Sequence, residues 1–447
     1  MKIAFLPIDN RPVCYTLPEL ITQIDSDIKL YIPNRDYLGD LKNDANIEAL
    51  FDWLKALPKD LDSIILSLDT ITYGGLIPSR RCNADFEEIK NRTEKLKAIL
   101  IEKNCKILAF SSIMRISNNN VNEEEKEYWS EYGKKIFQYS YELEKTGIPP
   151  QTDIPKNILE DYLNTRKRNF EINKIFLNWQ KEGLFDTLIF SKDDCAKHGL
   201  NIKEAKELEA LGGYTKTGAD EIPLSLLSRA VSGTLKIYPY FLESQYKNLV
   251  SNYEDVSVEN CVKGQIELAG CTIAQESDAD IILYINNFID RQGEIVMNID
   301  TTPFDKNFTP PDKPYMIADI RFANGSDNNF ISELFKSKLN TNNFHGYSGW
   351  NTSANTLGSL ICGAKIKYFA KKYNKDAFKK LQITRFLDDW AYQANIRQNL
   401  RSLDKEELTL DMKQFENIIV QQFNLNYINI NYKFPWNRLF EVEIEFN

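Results

Sequence analysis

The sequence predicts an α/β protein built on parallel strands, and three observations predict it. Apolar runs recur along the chain, each ends abruptly in Asp, Asn or Arg, and segments of helical character separate them. KIAFLPIDNRP stops at Asp9, Asn10 and Arg11; DSIILSLDTITYGG at Asp69; KILAFSSIMR at Arg115; LFDTLIFSKDDCAKHGL at Asp193 and Asp194; and YTKTGADE, more weakly, at Asp220 and Glu221. A strand covered by helices on both faces is continuously apolar, and its first polar residues appear where it leaves the core.

Taken in order, the reading is strand 2–7, strand 28–32, helix 46–56, strand 63–68, helix 84–103 and strand 105–111. Helical stretches over 122–145 and 156–182 follow, separated by GIPPQTDIP, whose prolines and glycine break the pattern. Next come the strand ending at Asp193, a helix over 202–211, and a helix that GADE opens and that runs to about Val231. From Leu235 the series resumes with LKIYPYFL, a helix over 257–269, the strands ADIILYINN and PYMIADIRFANG, a helix over 327–338, the segment FHGYSGWNTSANTLG, and a helix to about Tyr373. Residues 376–415 read as helical, and NLNYINI with FPWNRLFEVEIEF as two strands or a returning extension. The expected organisation is therefore three segments: a parallel-sheet or (β/α)8-like barrel domain over 1–232, a flavodoxin-like α/β domain over 233–375, and a helical region with C-terminal strands over 376–447.

Composition narrows the function classes. A chain of 447 residues that is 43% hydrophobic and 27% charged has the make-up of an ordinary globular protein. Its net charge of −9, with no basic cluster to offset it, argues against nucleic acid as a partner. The opening MKIAFLPIDN is too short an apolar run for a secretory leader, and no stretch reaches the ~18 apolar residues of a membrane span, so a cytoplasmic protein is expected. Seven dispersed cysteines without a C-x-x-C pair fit reduced thiols, and two histidines are too few for a histidine-rich metal site. Neither G-x-G-x-x-G nor a Walker sequence occurs, so no nucleotide is implied and no cofactor is assigned. A homo-oligomer is compatible with the sequence. The acidic run Glu123–Glu127 reads as a solvated helix start.

Ligands of α/β proteins bind at the carboxyl ends of the strands, where these polar tips gather. Asp193 and Asp194 are the candidate catalytic pair: two close carboxylates repel when both are ionised, which leaves an acid beside a base at neutral pH. Arg11, Arg80 and Arg115 suggest either a carboxylate- or phosphate-bearing ligand or loop-holding ion pairs with Asp9, Asp69 and Asp193. Sugar recognition needs amide and carboxylate partners for hydroxyls and an aromatic face for the ring. Tyr73, followed by two glycines, and Trp350, Asn351 and Asn355 in GYSGWNTSANTLG offer these, and Asp319 and Asn324 end a further strand.

The segments IAFLPIDNRPVCY, SLDTITYGGLIPSR, FSSIMRI, YWSEYGKKIFQYSY, RKRNFEIN, KDDCAKHGLN, GADEIPLSLLSRA, ADIRFANGSD, GYSGWNTSANTLG and PWNRLFEVEIEF together resemble the ordered blocks of a large bacterial family known as domain of unknown function 4127. The likeness spans nearly the whole chain and departs at Asn10, where the family pattern favours Asp, and at His198, where Tyr is more usual. It implies a bacterial intracellular protein with a site but supplies no reaction. The adjacent Asp pair also resembles, over two residues, the catalytic pair of O-GlcNAcase-type hexosaminidases, in which one carboxylate orients the substrate acetamide and the other is acid and base.

These readings converge on a glycoside hydrolase for a small N-acetylhexosamine-containing or acidic glycoside, with Asp193 and Asp194 catalytic. Its substrate-binding set comprises Asp9, Asn10, Arg11, Asp69, Tyr73, Arg80, Arg115, Asp220, Glu221, Asp319, Asn324, Trp350, Asn351 and Asn355. The alternatives are a Mg²⁺-dependent phosphoryl hydrolase or transferase on the same carboxylates, and a non-catalytic two-domain sugar-binding protein.

Overall fold

The structure, a computed structural model, describes residues 1–193, 196–336, 338–423 and 429–446. The chain divides into two compact units, one of residues 1–10 with 29–223 and one of residues 11–28 with 224–447. The second unit thus takes in an early segment, 11–28, and the C-terminal region after residue 375.

In the first unit six strands form one parallel sheet: β1 (Lys2–Leu6), β2 (Lys29–Tyr31), β3 (Ser63–Ser67), β4 (Lys106–Ile113), β5 (Thr187–Lys192) and β6 (Thr215–Thr217), ordered β2-β1-β3-β4-β5-β6. Every residue of β3 is buried, as is all of β4 after Lys106. That continuous burial requires cover on both faces. The helix Ile47–Ala56 supplies Leu50, Phe51 and Leu54, started by the Asn46 side chain accepting from the Ala49 N–H. Helix Phe86–Ile101, capped by Asp85, supplies Ile89, Leu96 and Leu100 and packs on the long helix Lys156–Lys181.

This sheet is open. Its edges, β2 and β6, are three residues each and pair on one side only, so the barrel that the sequence left possible does not close. Short edges also limit the unpaired backbone available for pairing with other chains.

The second unit repeats the plan with β7 (Lys236–Phe241), β8 (Thr272–Ile273), β9 (Ile281–Asn286), β11 (Tyr315–Asp319) and β13 (Phe344–Ser348), in the order β13-β11-β9-β7-β8. The pairs β10 (Gly293–Glu294) with β12 (Phe322–Ala323), and β14 (Ile430–Lys433) with β15 (Glu443–Phe446), form small accessory ladders, the latter antiparallel. Within each main sheet the second strand lies outside the first and the rest follow in sequence, which is the doubly wound arrangement with a reversal between β1 and β3 and another between β7 and β9. Ile237, Leu283, Ile285, Met316 and Ala318 meet Val262 and Ile266 of helix Val258–Leu268 and Leu357 and Ile361 of helix Ser353–Phe369 in one core.

Two local readings differ from the expectation. Residues 122–128 are not helical; the helix starts at Trp129. The 376–415 stretch is helix Lys375–Arg385 continued by a π-helix, Phe386–Ile396, then a break before helix Lys405–Gln422, which Asp404 caps. An eleven-residue π-helix is rare, since its i→i+5 bonds pack less well than those of an α-helix. Among the described residues no helix is long and apolar enough to cross a membrane.

Ile65 lies fully buried in the middle of β3. Ile65→Ala is expected to cost about 2–5 kcal/mol, measured as a lowered denaturation midpoint with the native circular-dichroism spectrum retained.

Candidate functional site

In the first unit the loops leaving β1 and β3 meet at the sheet's reversal. The Thr70 hydroxyl donates to the carbonyls of Pro7 and Ile8, at 2.8 and 3.0 Å, tying the two loops together. Asp9 is buried there, and Asn10 is pinned through its backbone by Gly39 and Arg35. Beyond β3 the chain turns directly into the short helix Leu68–Tyr73, which Gly74 ends at a φ of +97° that favours glycine.

That turn carries Asp69 into the core. Its carboxylate accepts the Ser112 N–H from the end of β4 at 2.8 Å, and the residue is 1% exposed. Burial raises its pKa from the usual 3.8 to about 7, opposed by the Ser112 hydrogen bonds and the nearby Arg80 charge. Arg80, equally buried, donates to Glu125 Oε1 at 2.7 Å and lies 3.7 Å from Glu124.

Past β4, Arg115 gathers three carboxylates: Nη2 reaches Glu124 at 2.7 Å, Nε reaches Glu125 at 3.3 Å and Nη1 reaches Asp193 at 3.3 Å. Two layers result. Asp69, Arg80 and Glu125 are buried, whereas the Glu124 and Asp193 side chains retain 22% and 26% exposure. The loop leaving β5 is held at its far end too, where His198 Nδ1 lies 2.5 Å from Glu144. Asp194, the other half of the expected catalytic pair, lies outside the described residues, as does Cys195.

Of the predicted residues the fold thus draws Asp69, Arg80, Arg115 and Asp193 into one network. Glu124 and Glu125 went unrecognised, because the run Glu123–Glu127 is not a solvated helix start: it is a turn that delivers two carboxylates to two arginines. The signal that could have found them is Arg115 at the end of an apolar run, with two glutamates nine and ten residues on. Glu221 bends back on its own turn and accepts the Ala219 N–H at 3.1 Å; Gly218, at φ +111°, leaves no room for a Cβ beside that carboxylate. Asp220 is buried in the same turn.

The remaining predicted residues belong to the second unit. Asp319 at the end of β11 accepts from Asn286, from the Tyr347 hydroxyl and from the Asp327 N–H, at 2.8, 2.9 and 2.9 Å. Burial, with the Asp327 charge beside it, raises its pKa to about 7. Arg321, wholly buried, bridges Asp327 and Glu243 at 3.3 and 3.1 Å. Asn324 and Asn351 both adopt left-handed backbone, and the Asn324 N–H donates to the Asn351 carbonyl. Thr352 caps the following helix by accepting the Asn355 N–H. Trp350 is 2% exposed and fronts a void of about 20 Å³, room for one water and not for a sugar ring. Arg11 pairs with Glu441 at 3.4 Å, its guanidinium 5.2 Å from the centre of the Trp436 ring. Among the described residues no three His, Cys, Asp or Glu side chains converge as a metal ligand set.

Because the folded pKa of Asp69 lies above its unfolded value, its contribution to stability is complete below about pH 4 and is lost as the pH rises to about 7. Asp69→Asn, which keeps an acceptor for Ser112, is expected to remove that slope. Between pH 4 and 7 the stability of the wild type should fall relative to the variant by up to about 4 kcal/mol, measured by denaturation at each pH.

No curated protein matches the chain. The sequence profile of one family, described as "Protein of unknown function (DUF4127)", matches residues 3–445. That match covers both sheets and both sets of strand-end residues, and the chain belongs to this family.

Proposed function

We propose that the chain is a hydrolase of a small glycoside carrying an N-acetylhexosamine or an acidic sugar, with the carboxyl-end rim of the first unit as the reacting surface. The observation that carries this reading is the convergence of Asp193, Glu124 and Glu125 on Arg115, with Asp193 and Glu124 left partly open to solvent. Carboxylates fixed on one guanidinium are oriented before substrate arrives, and a pair of them suits both the vicinal hydroxyls of a sugar and the acid and base steps of glycosidic cleavage.

In this scheme Asp193 is the catalytic acid–base residue, and Glu124 binds or activates the second reacting oxygen. Arg115 is a positioning residue, braced from below by Glu125 and Arg80. Asp69 positions the end of β4 through the Ser112 N–H. The adjacent Asp194 would orient a substrate acetamide in the substrate-assisted variant of the mechanism. A Mg²⁺-dependent phosphoryl reaction is less well supported, since among the described residues no three carboxylates converge as a metal ligand set.

The test is turnover of chromogenic N-acetylglucosaminides and glucuronides with EDTA present. Asp193→Asn is expected to reduce kcat by about 10²–10⁴-fold with the melting temperature unchanged within a few degrees. Absence of wild-type turnover on both substrate classes, or an unimpaired Asp193→Asn enzyme, overturns the reading.

A further inference from the structure

The first unit also contains a cleft of about 870 Å³, the size of a small-molecule site, whose wall includes none of the carboxylates held by Arg115. Lys42, Asp44, Tyr73, Arg81, Glu88 and Arg92 contribute to it. Part of the charge there is already committed: Arg92 pairs with Glu88 and donates to the Thr72 carbonyl at 3.1 Å. Three charged groups keep spare capacity. Lys42 and Asp44 form no ion pair among the described residues, and Arg81 spends one donor on the Leu41 carbonyl at 2.7 Å.

Tyr73 is the telling member. It is 2% exposed, it lies with its ring 5.5 Å from the Arg168 guanidinium, and its buried hydroxyl has no hydrogen-bond partner among the described residues. Buried hydroxyls are almost always satisfied, because leaving one unpaired forfeits its hydration without return. Phe at this position would pack the same ring at no such cost. An unsatisfied hydroxyl on a residue that lines the same cleft as Lys42, Arg81 and Asp44 supplies, together with that ammonium, guanidinium and carboxylate, the donor and acceptor set of a ligand site.

We propose that this cleft binds a small polyhydroxylated molecule bearing one anionic group, a sugar carboxylate or a sugar phosphate. Lys42 and Arg81 take the anion, and Tyr73 and Asp44 take hydroxyls. Neither the site nor its ligand depends on the reaction assigned to the rim, since the two share no carboxylate and the test below reads binding alone.

Calorimetric titration of the full chain with glucuronate, glucose 6-phosphate, glucose and inorganic phosphate tests it, together with Tyr73→Phe and Lys42→Gln. At least one of the two acidic sugars should bind the wild type at millimolar concentration or below, at least tenfold more tightly than glucose or phosphate alone; which of the two does so identifies the anion. Lys42→Gln should weaken that binding at least tenfold and Tyr73→Phe at least fivefold, while unliganded Tyr73→Phe melts no lower than the wild type. The proposal is overturned if neither acidic sugar binds, if glucose or phosphate alone binds as tightly, or if both variants bind like the wild type. A lowered melting temperature of unliganded Tyr73→Phe also overturns it, by showing that the hydroxyl serves the fold.

Discussion

A strand covered by helices on both faces can place a charged side chain only where it leaves the sheet, and both units of this protein are organised by that constraint. In the first unit it puts Asp69 just past β3, Arg115 just past β4 and Asp193 just past β5, so three consecutive neighbours in the sheet deliver their charges to one edge. In the second, Asn286 closes β9 and Asp319 closes the neighbouring β11, and the Asn286 amide donates to the Asp319 carboxylate. Parallel register is what makes these ends coincide, since every strand of each main sheet exits in the same direction.

The two rims differ in what happens to the charge. Asp69, Asp319 and Asp389 are each buried and each titrate at about pH 7 for the same leading reason, loss of hydration. In the second unit the network then closes on itself. Arg321 is wholly buried between Asp327 and Glu243, and Tyr347 stacks on Phe386 at 4.5 Å while donating to Asp319. The π-helix supplies Asp389, which accepts the Gly349 N–H at 2.7 Å and holds the turn that ends β13. Such a network specifies one packing of the core and presents no reactive surface.

In the first unit the same kind of buried layer supports an accessible one. Glu125 is shared between Arg80 beneath and Arg115 above, so the partly exposed pair Asp193 and Glu124 rests on groups that cannot relax without stranding a buried charge. That difference in solvent access, more than any difference in residue type, is why the functional reading attaches to the first unit.

The apolar runs and the residues that end them determined, from the sequence alone, the strands, their parallel arrangement and the location of Asp69, Arg115 and Asp193 at one edge. Those features depend on burial periodicity, which is local and legible. Tertiary structure decided the rest. Residues 11–28 read as part of the first strand–helix series, yet they fold with the second unit, where Asp25 accepts the N–H groups of Lys371 and Lys372. The run at Glu123–Glu127 has the composition of a solvated surface, and Arg115 together with Arg80, 45 residues away from Glu125, turns it inward. Trp350 has the sequence setting of a sugar platform, and packing buried it instead. For the 11–28 segment and for the Arg80–Glu125 pair the deciding partner is distant along the chain, and a pairing of that kind leaves no periodic trace for the sequence to show.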